Sequence, residues 1–220
     1  MKFVKVPSGS FEMGCHANAG KCRSNEKPVR TVRLDSFWMG KHEVTQGQWK
    51  RVMGSNPSNF KKGDDYPVEQ VSWNEVQQFI RRLNSRSSAR FRLPSEAQWE
   101  FACRSGGRPV TFGTGDGGVT SGNANINRNN GGTTPVGRYP ANALGLHDMS
   151  GNLWEWVQDK KTSYGNVGND NPIYERSGGL RVIRGGSWSK TSRNLRCSDR
   201  GWGSPSHRSR YLGFRLRRSR

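Results

Sequence analysis

The sequence has no run of roughly 18 apolar residues, which excludes a membrane-spanning helix. Its four cysteines (Cys15, Cys22, Cys103, Cys197) form no C-x2-C unit, and its four histidines (His16, His42, His147, His207) are scattered. Neither pattern supports a zinc site. No nucleophile elbow, phosphate loop or paired-carboxylate pattern occurs. Gly185-Gly186 follows a strand-like run, but no helix pattern comes after it, so it does not read as a nucleotide site. Internal repeats, linkers and compositional breaks are missing too, so residues 1–220 read as one domain. Met1-Lys2-Phe3-Val4 is too short for a signal peptide, which leaves either a cytosolic chain or an exported one whose leader has been removed.

Acids are scarce. Seventeen Asp and Glu face 36 Lys and Arg, for a formal net charge of +19. From Lys190 onward there are ten cations and one acid, Asp199. This balance fits a solvated basic face, an acidic partner or nucleic acid. Hydrophobic residues make up only 31% and glycines number 28, which predicts a loop-rich fold. Eight tryptophans separate the chain from disordered sequences. Each buried indole removes roughly 150–250 Å² from water, on the order of 4–6 kcal/mol gross. A few such anchors suffice for a fold with little regular secondary structure.

Three helices are legible. Thr45-x-x-Gln48 is a capping-box pattern, with Trp49, Val52 and Met53 on one face and Gly54 as the stop. Ser72 with Glu75 opens a second helix, whose apolar stripe is Val76, Phe79, Ile80 and Leu83, while Arg81 and Arg82 face solvent. Ser95 with Gln98 opens a third, with Trp99, Ala102 and Cys103 inward and Gly106-Gly107 at its end. Strand-like runs are Phe3–Val6, Val29–Leu34, Phe91–Leu93, Val182–Arg184 and Phe214–Leu216. Residues 106–132 read as loop, and five asparagines within 123–130 fit a turn-rich loop or a cation-binding one. The class is α+β with much irregular structure. Cys15 and Cys22 enclose a polar loop that a disulfide could close, which would favour an oxidising compartment. The state of Cys103 and Cys197 stays open.

Seven phrases stand out in order: Val6–Gly14, His42–Trp49, Pro67–Trp73, Arg92–Phe101, Gly145–Trp156, Arg184–Trp188 and Leu212–Leu216. The last four read RLPSEAQWEF, GLHDMSGNLWEW, RGGSW and LGFRL. This series resembles the formylglycine-generating-enzyme (sulfatase-modifying-factor) family across nearly the whole chain. The resemblance implies a compact C-type-lectin fold with little regular secondary structure. It also frames the chemistry. Oxidising members carry two cysteines shortly after the Gly-Gly-Ser-Trp phrase, as soft thiolate ligands for copper. Here that stretch, Ser189–Arg196, has no cysteine, and Cys197 falls at a different family position. No copper is therefore expected, and the chain reads as non-catalytic.

Variable proteins of diversity-generating retroelements share the fold and display a diversified C-terminal segment. Residues 184–215 resemble that segment. Framework-like residues (Arg184–Trp188, Arg196-Cys197, Arg200, Pro205, Arg208, Leu212–Arg215) alternate with mixed insertions. The candidate ligand-binding residues are Ser189, Lys190, Thr191, Asp199, Gly201, Trp202, Gly203, Ser204, Ser206, His207, Ser209, Arg210 and Tyr211. Aromatics and arginine amid Ser and Gly are binding-surface chemistry. Trp202, between two glycines, is expected to be the most exposed tryptophan, although Trp202 and Tyr211 folded back on the body is the competing arrangement. An unidentified protein or surface ligand would bind through 189–211, and an acidic partner or nucleic acid is a further expectation for the basic surface.

Enzymes of the family also bind structural calcium near Gly-Asn-x-Trp-Glu-Trp. The resemblance implies ligands in the side chains of Asp148 and Glu155 and the carbonyls of Gly151 and Leu153, hard donors suited to Ca²⁺. The alternative has Asp148 capping a turn and Glu155 paired with an arginine. A second calcium loop near Asn125 and Ile126 lacks its acid.

Overall fold

A computed structural model describes residues 1–16, 20–176 and 179–219. The three capping boxes form as their sequences dictate. In each, the Thr or Ser side chain accepts from the N3 backbone N–H, and the Gln or Glu at N3 accepts from the cap's own N–H. They start α1 (Gln46–Met53), α2 (Trp73–Asn84) and α3 (Glu96–Cys103). Gly54 ends α1 in the left-handed conformation, φ 87°. α1 and α2 bury one face each, whereas every residue of α3 is buried, its Glu96 and Glu100 included.

Among the described residues, ten short strands form three sheets. β1 (Phe3–Val6), β4 (Phe37–Gly40), β10 (Arg217–Arg218) and β5 (Phe91–Arg92) make one antiparallel sheet in the order β1-β4-β10-β5. β2 (Gly9–Met13) pairs with β3 (Arg30–Leu34). The third runs β8-β7-β6-β9, from β8 (Gly201–Gly203), β7 (Arg181–Arg184), β6 (Trp154–Lys160) and β9 (Leu212–Gly213), with β6 and β9 parallel. Residues 106–132 are loop.

The expected strand at 214–216 is not one. This segment carries the chain from β9 beside β6 to β10 beside β4, so its backbone bonds outward instead: Val44 N donates to Phe214 O and Gly40 N to Leu216 O. Two large apolar clusters and a small third one (Ala124, Ile126, Leu195) fill the interior of the described residues. One packs Phe11, Val32 and Leu34 against Trp99, Phe101 and Leu146. The other packs Trp49 flat on Phe79, centroids 5.1 Å apart, with Phe214 edge-on to both. Disulfides join Cys15 to Cys22 and Cys103 to Cys197, the second fully buried and closing 94 residues of chain.

Candidate ligand-binding surface

The C-terminal segment alternates between two kinds of residue, and burial separates them. Arg184, Arg196, Arg200 and Arg215 are buried. A buried guanidinium is costly unless paired and fully hydrogen-bonded, and each of these meets a buried carboxylate. Arg184 bonds Glu100, which also takes Arg104 Nε at 3.0 Å and Gly14 N at 2.9 Å. Arg196 grips Glu26 through two 2.6 Å bonds. Arg200 holds Glu96 at 2.6 and 2.8 Å. Arg215 bonds Glu155 through Nε and Nη2, at 2.7 to 2.9 Å. The partner acids come from α3, β6 and the Ser24–Glu26 turn, so the pairs fasten the C-terminal segment to three parts of the body.

Between these anchors the chain comes to the surface. Lys190, Thr191, Trp202, Ser204, Ser206, His207 and Arg210 are exposed, and Ser189, Gly201, Gly203, Ser209 and Tyr211 are half-buried. Backbone and ring contacts hold them to the body at several points. Asn127 N donates to Lys190 O, and Arg128 N to Trp188 O, which ties the 123–130 loop to one end. Trp188 stacks on Tyr211 (5.0 Å) and meets Phe60 edge-on (5.5 Å), while Arg210 lies over the Tyr211 ring. Tyr211 O accepts from Trp154 N, and Trp154 underlies β8. At the far end Asn74 N, in the first turn of α2, donates to Pro205 O, and Arg208 pairs with Glu75 at 2.8 Å. Trp202 is 39% exposed and is the one exposed tryptophan, with the Lys161 ammonium 3.9 Å from its ring. Tyr211 folds back onto Trp188, so the two aromatics divide between display and packing.

Asp199, expected among the displayed residues, is buried. It sits 3.2 Å from Arg23 and 3.6 Å from Arg196, and Asn194 Nδ2 donates to it at 3.3 Å. A lone acid in a cationic segment serves as a counter-ion to the guanidinium anchors. Burial pushes its pKa up to about 6. Gly186 has φ 72°, and a Cβ there would lie 2.7 Å from Asn194 O, so this turn of the framework requires glycine.

Both acids proposed for calcium have protein partners in the structure. Both Glu155 oxygens are taken by Arg215, and Oε2 also accepts from Trp99 Nε1 at 2.8 Å. Asp148, at φ 58°, accepts from Gly137 N at 2.8 Å and so caps a turn. Gly151 and Leu153 would offer only backbone carbonyls. Sequence reading missed Glu43, which accepts from Asn152 Nδ2 (2.7 Å) and Leu153 N (3.1 Å) and fixes the Gly-Asn-Leu-Trp turn. Burial, then the nearby Asp148 and Glu155 charges, hold its pKa well above the usual range. Its signal was the His42–Trp49 phrase. Asn125 is likewise internal, donating to Gly132 O and Asn152 Oδ1.

Three short sheets, three helices and long ordered loops make this a C-type-lectin fold of the formylglycine-generating-enzyme type. The chain belongs to the family of the sulfatase-modifying factor enzyme 1-like domain, whose model matches residues 1–220. It is 28% identical to bovine (Bos taurus) formylglycine-generating enzyme, covering 97% of this chain and 74% of that protein. It is also 28% identical to serine/threonine-protein kinase Pkn1 of Chlamydia trachomatis, where 97% of this chain spans only 38% of the relative. Among solved structures, Treponema denticola variable protein 1 superposes with a TM-score of 0.87 at 25% identity, covering 98% of this chain and 94% of that one. Its relatives thus include both an enzyme and a variable protein.

Proposed function

We propose that this chain is a non-catalytic ligand-binding protein whose recognition surface is the strip formed by Ser189–Thr191 and Gly201–Tyr211, diversified as in retroelement variable proteins. The observation that carries the reading is the division of labour within 184–215. Arg184, Arg196, Arg200 and Arg215 are buried on carboxylates, and the candidate binding residues among them, Asp199 apart, are exposed or half-buried. Such a segment tolerates side-chain change at its exposed positions, whereas Tyr211 packs against the core. The likeness to Treponema denticola variable protein 1 points the same way. The cysteines weigh against the oxidative alternative. All four are in disulfides, which leaves no thiolate for a Cu(I) site. Two disulfides also favour an oxidising compartment. Sequencing the DNA on either side of the gene tests the reading. A near-copy of the 184–215 coding segment, differing mainly at adenines and lying beside a reverse transcriptase gene, is the expected result. Its absence would leave a binding protein with one fixed ligand, or an enzyme with another site.

A further inference from the structure

The two signs of charge are buried unequally. Nine of the 17 acids are buried, against five arginines among the described residues. Five of the eight remaining acids are ion-paired: Asp35 and Asp170 with Arg33, Asp64 with Lys50, Glu75 with Arg208, and Glu175 with Arg181. The solvent-facing surface is therefore more basic than the formal +19, and almost bare of free carboxylate.

This surface has a concave place, where the C-terminal turns of α1 and α2 meet the β1-β4-β10-β5 sheet. A groove of about 510 Å³ there has an apolar lining of Phe3, Val52, Leu83 and Phe91, with Arg51 and Arg218 as its charged members and no acid. A neighbouring recess of about 350 Å³ shares Arg218 and adds Lys5, Trp38, Arg217 and one acid, Asp35, which is paired with Arg33 at 3.1 Å. The Arg218 guanidinium stands 4.7 Å over Trp38 and 5.6 Å over Phe3. That stacking fixes its orientation, and neither it nor the Arg51 guanidinium meets a carboxylate among the described residues. The helix C-termini here carry partial negative charge, which these cations more than offset.

The geometry points to a docking groove for an acidic peptide segment of another protein, with one bulky apolar side chain between Phe3, Val52, Leu83 and Phe91 and carboxylates on Arg51 and Arg218. The guanidinium fork matches a carboxylate in two-point geometry, and the volume lies within the range of sites that enclose a few side chains. Charge complementarity selects the occupant. A second copy of this chain is unsuited, because its surface is basic and its few outer acids are mostly paired. Single-stranded nucleic acid needs free ring faces on which bases stack, and Arg218 already covers those of Trp38 and Phe3. The groove is separate from the 189–211 strip. The strip meets the N-terminus of α2 at Asn74 and Glu75, while Leu83 lies in its last turn, about 12–14 Å further along the helix.

The test uses the full chain and a fluorescein-labelled acidic peptide with one central phenylalanine, read by anisotropy. Arg218→Glu and, separately, Arg51→Glu are expected to weaken binding by about tenfold or more, with thermal melting confirming that each variant folds. Arg108→Glu, the same charge change on an exposed arginine elsewhere, is expected to move it far less, and replacing the peptide's phenylalanine by glycine is expected to weaken it. Equal losses at Arg108 and Arg218 would overturn the proposal in favour of diffuse attraction. So would no saturable binding, or tighter binding of charge-matched oligothymidylate with the same dependence on Arg218.

Discussion

Glu100 is the acid on which the framework reading can be tested most sharply. It is fully buried and accepts from Arg184, Arg104 and Gly14 N. Glu100→Gln keeps the shape but removes the charge that two buried guanidiniums share, and it turns an N–H donor towards donors. Breaking a buried pair from one side costs about 3–5 kcal/mol. In a domain of this size each kcal/mol lowers Tm by about 2–4 °C, so the loss should be about 6–20 °C. Arg208→Gln is the matched control, because Arg208 pairs with Glu75 while its side chain is 57% exposed. Exposed pairs contribute about 0–1 kcal/mol, so that variant should melt within about 4 °C of the parent. Calorimetry under oxidising conditions reads both. Equal shifts in the two variants would refute the division of 184–215 into buried anchors and free surface.

Other consequences concern the staples, the buried acids and the tryptophans. By loop length, replacing Cys103 and Cys197 together by alanine should cost about 4–5 kcal/mol, and replacing Cys15 and Cys22 about 2, measured by urea unfolding; the reverse order would mean that native packing outweighs chain entropy. Burial raises Asp159 to about 7 and Asp199 to about 6. With folded pKa values above the unfolded value of about 3.9, both favour the folded state when protonated, so their contribution falls as pH rises from about 4 to about 7. Urea midpoints should decline across that window, and a rise would contradict the assignment. Trp154→Ala, at 8% exposure, should cost about 3–5 kcal/mol, and Trp202→Ala clearly less; equal losses would count against display of Trp202.

Local signals were read well where they are self-contained. Thr45, Ser72 and Ser95 start helices because the cap and its N3 partner lie three residues apart, and Gly54 stops one by its conformation alone. β6 was hidden because its inward residues include Glu155 and Asp159, whose polarity mimics a solvent face. β8, β9 and β10 are only two or three residues long, too short for any periodicity to register. Within the candidate surface, the alternation of framework and insertion was legible, but the fate of Asp199 was not. Its counter-ions include Arg23, which folding brings from the opposite end of the chain. Glu155 depends in the same way on Arg215, 60 residues on.

On the function proposed above, the exposed residues of 189–211 are a binding surface free to vary. Displaying a library randomised together at Lys190, Thr191, Trp202, Ser204, Ser206, His207 and Arg210, beside a control library randomised at Arg196, Asp199 and Arg200, tests it directly. Most members of the first library are expected to fold with both disulfides intact and to yield binders under selection, while the second loses folded protein. Equal loss of folding in both, or folded libraries that never yield a binder, would contradict it.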